Sequence, residues 1–231
     1  MQGVPLQFSD EKDRARFRHL EQLPGVELYH AHISRYAFEP HTHEAFGIGV
    51  IEQGAERFLY RGSQHIAAAN SIVTMNPDEL HTGEAETADG WRYRMIYLEP
   101  DRLEAITGVR DWWFSEVVRE DPLRSRLIGQ LIYGLWHSDD PLAQQGLLLD
   151  LIDAFRPLAH HASAQGEAGH RFDRVRDYLH DNYMRPITLD ELAQVAALSP
   201  YHFQRQFKAH YHVTPHQMLM AIRLWRAKAF L

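Results

Sequence analysis

Between residues 26 and 98 the apolar positions come in short bursts that alternate with polar ones. VELYHAHI, AFGIGVIE, ERFLYRG, SIVTMN and WRYRMIYLE are rich in Val, Ile, Tyr and Phe, and Pro40, Gly54, Gly62, Asn70, Pro77 and Gly90 separate them. Such bursts between turn residues predict strands. Their close spacing, with no helical pattern in between, predicts a small antiparallel sandwich or barrel. In the first strand Val26, Leu28, His30 and His32 share one face and Glu27, Tyr29, Ala31 and Ile33 the other.

Further on the period changes. Leu123, Leu127, Leu131, Leu135 and Trp136 recur every three or four residues. After Ser138-Asp139-Asp140-Pro141, so do Leu148, Leu151, Ile152, Phe155 and Leu158. Asp121 and Asp140, each before a proline, are helix starts. The pattern predicts an antiparallel helical hairpin whose apolar faces cover the sheet, pair with a second chain, or do both. AHHASAQGEAG, at 159–169, has no periodicity and reads as a linker.

Beyond it, Phe172, Val175, Leu179 and Tyr183 form one helical stripe that Arg185-Pro186 ends. Thr188 and Glu191 make a capping box for a helix with Leu189, Leu192, Ala193 and Ala196 on its apolar face. Ser199-Pro200 starts another helix after only a short turn, with Phe203 and Phe207 facing inward, and Thr214-Pro215 with Gln217 starts a fourth. Two short helices around a tight turn are the pattern of a helix-turn-helix. The outer face of its second helix presents Tyr201, Gln204, Arg205 and Lys208, with His202 beside them. Gln and Arg suit base edges in the major groove, Tyr201 a sugar or a thymine methyl, and Lys208 a phosphate.

Composition narrows the classes. The chain has 231 residues, 45% hydrophobic and 24% charged, which excludes wholesale disorder. No apolar run approaches the ~18–20 residues of a membrane span. The start, MQGVPLQFSDEKDRARFRHL, lacks a basic-then-apolar export pattern, so a cytoplasmic protein is expected. With no cysteine, disulfides, thiolate catalysis and thiolate metal sites are excluded. The net charge of −7 is uneven: from His170 onward there are nine basic and five acidic residues, against fifteen and twenty-six before it. Leu192–Leu231 holds no acid at all. An acidic front with a basic tail predicts that only the tail approaches a polyanion.

The segment ITLDELAQVAALSPYHFQRQFKAHYHVTPHQMLMAIRLWRAKAFL resembles the first part of the DNA-binding domain of AraC/XylS-type transcription regulators. Thr188-Leu189 with Leu192-Ala193, Leu198-Ser199-Pro200, Arg205 with Phe207-Lys208, Thr214-Pro215, and Arg223-Leu224 with Ala227 carry the likeness over about sixty residues. The resemblance implies that Tyr201, Gln204 and Arg205 touch bases. The family usually has glycine where this chain has Ala197 and His212; a left-handed alanine costs roughly 1 kcal/mol. The family domain also carries a second helix-turn-helix after a long helix. This sequence stops at Leu231, inside what resembles that helix, so weak specific DNA binding is the expectation for these residues.

In the front half Pro40-His41-Thr42-His43 places two imidazoles at i, i+2 of a predicted strand, pointing the same way into the barrel, and His81 beyond Pro77 is a third. Three such groups facing one cavity are a set that holds Zn, Fe or Mn. The segment is similar to the cupin-like barrel of the same regulator family. Metal-binding cupin enzymes also place a carboxylate four or five residues after the second His; here Gly47 and Ile48 stand there, with Glu44 too early and Glu52 too late. The metal set is incomplete, so no metal or other cofactor is expected, and His41, His43 and His81 are the residues that would hold one. The barrel then offers an effector pocket, with His41, His43, Phe46, Arg57, Tyr60, His81, Trp91 and Tyr93 as lining candidates and Tyr29, His30 and Arg94 beside them. Alternation turns only half of these inward.

The expected fold is α+β. It comprises a cupin-like antiparallel barrel over 1–110, a helical hairpin at 111–160 serving dimerisation, a linker at 161–170 and an AraC-type helix-turn-helix domain over 171–231. The expected function is that of a sequence-specific, effector-controlled transcription regulator. It is not an enzyme, acts as a homodimer on double-stranded DNA, and has no membrane partner. Two rivals are a cupin-type metalloenzyme and a dimerisation module that sequesters full-length partners.

Overall fold

The computed structural model describes residues 8–161 and 168–228, leaving out the side chains of 161, 168–171, 201 and 228. The central part of the linker read from sequence, 162–167, lies outside the described residues. Among the described residues nine strands come first: β1 (Arg14–His19), β2 (Val26–Ile33), β3 (Phe38–His41), β4 (Phe46–Gln53), β5 (Ala55–Tyr60), β6 (Ser63–Ala68), β7 (Ser71–Met75), β8 (His81–Ala85) and β9 (Trp91–Leu98). There follow α1 (Pro100–Thr107), β10 (Trp112–Trp113), β11 (Val118–Glu120), α2 (Pro122–His137), α3 (Pro141–Phe155) and β12 (His160–His161). Four helices complete it: α4 (Ala168–Asn182), α5 (Leu189–Val195), α6 (Pro200–Tyr211) and α7 (Pro215–Lys228).

The strands form a six-stranded sheet in the order β1-β2-β9-β4-β7-β11 and a four-stranded sheet, β3-β8-β5-β6. Their pairings are antiparallel. The two sheets make the cupin-like sandwich expected from sequence. Its interior is aromatic: Tyr29, Phe38, Phe58, Tyr60, Trp91, Tyr93 and Tyr97 pack with Met75 and Met95. Alternation sends Tyr29, Ala31 and Ile33 of β2 into this interior, while Val26 and Leu28 enter a second core against α2 and α3. The larger sheet is therefore buried on both faces, which explains why β4 reads as a continuous apolar run. Gly54 turns the chain between β4 and β5 at φ +72°, where a Cβ would meet the Gly90 carbonyl oxygen at 2.0 Å.

The hairpin forms where the proline-preceded aspartates place it. Asp121 accepts a hydrogen bond from the Arg124 amide and Asp140 one from the Ala143 amide. The face of α2 differs from the leucine stripe, however. Ser125, Ile128, Ile132 and Leu135 are buried, whereas Leu123 is 79% exposed and Leu127 48%. The cause is close approach. Gly129 sits against Val50 of β4, where an added Cβ would lie 3.2 Å from the valine methyl. Small residues, which carry no hydrophobic signal, thus choose the buried side.

The tail forms a third core in which Phe172, Val175, Leu179, Leu192, Phe203, Phe207 and Ile222 meet. Helix α4 already ends at Asn182, ahead of Arg185-Pro186.

Candidate DNA-reading helix and sensor cavity

Helices α5 and α6 are fixed by local chemistry before packing adds anything. The Thr188 hydroxyl accepts from the Glu191 amide, and the Glu191 carboxylate accepts from the Thr188 amide, a complete capping box. Ala197 takes the left-handed turn position at φ 52°, and Ser199 caps α6 with Pro200 at its first position. His212 closes α6 at φ 59°, also left-handed. Both glycine-favouring positions are thus occupied by residues that tolerate the conformation at a cost. Phe203 and Phe207 are fully buried, with ring centroids 6.3 and 5.9 Å from Phe172. The side opposite these rings exposes His202, Gln204, Arg205 and Lys208. Tyr201 lies on the same helix, with its side chain outside the described residues. His202 also serves the cap, its Nδ1 2.9 Å from the Ser199 hydroxyl. Gln206, which the sequence reading passed over, is exposed beside them.

In the barrel three imidazoles converge. His41 ends β3, His43 follows in the next loop and His81 opens β8. A ring nitrogen from each lies within 4.8 Å of the others, among buried and half-buried surroundings. His41 Nδ1 is 2.7 Å from the Glu39 carbonyl oxygen and His81 Nδ1 is 2.9 Å from that of Glu79. A carbonyl oxygen only accepts, so both Nδ1 atoms carry the proton, and in a neutral ring Nε2 is left with its lone pair. Burial, reinforced by the His41 charge, lowers the His81 pKa to about 3; burial and the other two imidazoles hold His43 well below its ordinary value. These two rings are neutral near pH 7, as metal ligands must be.

The cavity they border has a volume of about 30 Å³ and is also lined by Tyr29, Glu56, Tyr93 and Tyr97. That is room for a water or a single ion. Glu56 was not foreseen as a site residue. It is 8% exposed, and burial alone pushes its carboxyl up to about 8. Gly47, where metal-binding cupins have a carboxylate, faces Met95 and Tyr97, and a Cβ there would lie 3.3 Å from each side chain, so a longer residue would need both to shift. The imidazole set fits a metal ion, and any carboxylate partner comes from β5 rather than from β4.

Of the lining candidates, the structure brings His41, His43, His81 and Tyr93 together at this cavity and places four elsewhere. Phe46 points into the helix-side core against Phe114. Arg57 is on the outer face, paired with Glu84 and Glu86. Tyr60 is buried and donates to the Glu79 carboxylate. Trp91 is wholly buried, stacked on Tyr93 at 5.5 Å as a packing residue. The neighbours divide likewise: Tyr29 lines the cavity, while His30 and Arg94 pair with Glu52 outside it. Strand parity, which sequence could not choose, turns Phe46, Arg57, His30 and Arg94 away, whereas Tyr60 and Trp91 share the inward face and lie in the aromatic interior beside the cavity.

Between barrel and tail lies a larger cleft of about 650 Å³, bordered by Glu44, Asp78, Trp112, Trp113, Arg176 and His180 among others. Charged contacts cross it. Arg176 Nη1 is 3.3 Å from Asp78 Oδ2, His180 Nε2 is 3.5 Å from Asp78 Oδ1 and His180 Nδ1 is 3.4 Å from Glu44 Oε1. Arg226 of α7 reaches Glu44 at 3.8 Å, and Trp113 stacks on His210 of α6.

Comparison with known proteins assigns both parts. Residues 23–152 match the AraC-like ligand binding domain, and residues 179–220 match the bacterial regulatory helix-turn-helix proteins of the AraC family. The chain belongs to the AraC family. Similar proteins include an uncharacterized HTH-type transcriptional regulator, YbfI, of Bacillus subtilis (strain 168), 25% identical over 87% of this chain and 79% of that one. The HTH-type transcriptional activator RhaS of Yersinia pestis (strain Pestoides F) is 23% identical over 83% of this chain and 74% of its own. Among solved structures, a cupin 2 conserved barrel domain protein from Leptotrichia buccalis aligns over 41% of this chain and 44% of that one, at 14% identity and a TM-score of 0.36.

As an AraC-family member the chain is a DNA-binding transcription regulator with an N-terminal ligand-binding domain. The histidine-lined cavity lies within the first matched segment and the exposed side of α6 within the second. No helix among the described residues is long and apolar enough to cross a membrane.

Proposed function

We propose that this AraC-family chain is a one-component, sequence-specific regulator: the barrel receives a small ligand and α6 reads the major groove. The observation that carries this reading is the two-sided character of α6. Phe203 and Phe207 anchor it at zero exposure, and Gln204 and Arg205 stand exposed on the opposite side. Arg and Gln pair bidentately with guanine and adenine edges respectively, and Lys208, a turn on, is suited to phosphate. The ligand enters at the mouth bordered by His41, His43 and His81, and its binding changes how the helix-turn-helix is presented. Leu123, Leu127, Leu142 and Leu149 are exposed on the helical hairpin and give a second copy an apolar surface to bury, which suits spaced half-sites on DNA. The working compartment is the cytoplasm, where the DNA is.

The test is selection from a randomised duplex library with the full chain, followed by gel-shift titration of the selected sequence. The expected result is an enriched motif whose affinity falls about 5–150-fold in Arg205→Ala, the equivalent of ~1–3 kcal/mol per bidentate contact. An unenriched pool, or equal binding by the variant, would refute the reading.

A further inference from the structure

The geometry points to a divalent transition-metal ion, seated on His41, His43 and His81, as the ligand of the barrel, with the loop between β7 and β8 carrying its occupancy to α4. This rests on the reading of the barrel as the sensing part and names the ligand's class.

Four observations support the seat. The imidazole nitrogens of all three residues lie within 4.8 Å of one another. Two of the rings have Nδ1 tied to a backbone carbonyl, which orients each ring and leaves Nε2 as the donor, as the outer partners of metal-ligating histidines commonly do. The cavity, at about 30 Å³, accepts an ion and excludes a sugar or aromatic acid unless the interior opens. Glu56 lines the same cavity, a buried carboxyl for which a nearby cation would supply a countercharge. Imidazole donors suit Zn, Ni, Co or Fe and disfavour Mg and Ca, which take oxygen ligands.

The seat and the interdomain contacts share one short piece of chain. The Asp78 amide donates to the His43 carbonyl at 2.7 Å, and the Asp78 side chain holds Arg176 and His180 of α4. Asp78 adopts φ 60°, a left-handed turn position that aspartate tolerates better than most residues. One residue on, the Glu79 carbonyl orients His81, while its buried carboxylate binds Arg61, which lies over Trp113, the residue stacked on His210 of α6. Drawing His43 and His81 onto one ion bears directly on both ends of this loop. An ion therefore favours one docking of the tail, by its differential affinity for the two arrangements.

The experiment uses the full chain, stripped with EDTA and titrated with Co²⁺ followed by absorbance and with Zn²⁺ followed by calorimetry. One ion per chain is expected, with a nitrogen-ligand Co²⁺ spectrum and no response to Mg²⁺. Affinity should fall at least tenfold in His41→Ala and in His81→Ala and stay unchanged in His65→Ala, a histidine of β6 that does not line the cavity. Should either histidine variant fail to fold, the wild-type Co²⁺ spectrum decides, since a spectrum of oxygen ligands only would overturn the seat. Amide hydrogen exchange reads the coupling: Zn²⁺ should slow exchange in α4 of the wild type but not of Asp78→Asn, which still binds the ion. Absence of Co²⁺ binding, equal binding by His81→Ala, or α4 exchange indifferent to Zn²⁺ would overturn the proposal. Failure to enrich any DNA motif, with metal binding intact, would instead sink the regulator reading and leave the seat standing.

Discussion

Ala197 carries the turn of the helix-turn-helix at φ 52°, a conformation that costs an L-residue ~1–2 kcal/mol and glycine almost nothing. Ala197→Gly is expected to stabilise the tail by about 1 kcal/mol, less the extra chain entropy of glycine, as read by urea denaturation; a loss of stability would show that the turn relies on the methyl group. Arg205 presents the opposite case. It is exposed, so Arg205→Ala should leave stability within about 0.5 kcal/mol while weakening DNA binding, and the two measurements together separate a reading residue from a packing one. Glu56 sets a pH dependence. Burial raises its carboxyl from an ordinary 4.5 to about 8. Between those values the unfolded chain gives up a proton that the folded chain keeps, so folding stability contributed by this group is full below pH 4.5 and declines as pH rises toward 8. In metal-free protein, Glu56→Gln should flatten that decline in a series of thermal melts; an unchanged slope would mean the carboxyl is solvated after all.

Helices α2 and α3 show how a correct element can be placed with the wrong face. The periodicity located both, and the aspartate–proline starts fixed their first turns. Yet leucines four apart marked the outer side of α2, because Ser125 and Gly129 are what permit contact with the sheet. In α3 the apolar stripe from Leu148 to Leu158 is the buried one, having no such competition. The exposed leucines make a prediction of their own. Leu127→Asp should convert a dimer of the full chain to monomer in light scattering while the melting temperature of the monomer stays near that of the parent, since Leu127 is 48% exposed. A dimer that survives the charge would move the contact elsewhere. The short strands β1, β6 and β8 were not read at all, and the strand read through His41-Thr42-His43 ends at His41 as β3; these strands are brief, polar or half-exposed, and only pairing with longer neighbours makes them strands.

Across the entire chain, charge is segregated: the basic tail follows a front half rich in acids, and acids at Glu44 and Asp78 hold the tail through Arg176, His180 and Arg226. Binding to duplex DNA should therefore weaken steeply with salt, and Lys208→Ala should reduce the slope of log K against log salt by about 1 while weakening all sequences alike. A sequence-dependent loss would make Lys208 a base contact instead. The helix-turn-helix was legible residue by residue because caps, turn and buried phenyl rings are local: Thr188 with Glu191, Ser199 with Pro200, and Phe203 with Phe207 act within one or two helical turns. The histidine cluster was legible in part, since His41 and His43 share a motif and His81 follows a proline. What the chain order could not reveal was strand parity and long-range approach. Glu56 reaches the cavity from β5 of the same sheet that carries His41 and His81, Phe46 and Arg57 turn away from it, and the Asp78 loop meets α4 from about a hundred residues away. Short-range hydrogen bonding and periodicity are written in neighbouring residues; which side of a strand faces inward, and which charges meet across a cleft, depends on the packing of segments that no local pattern connects.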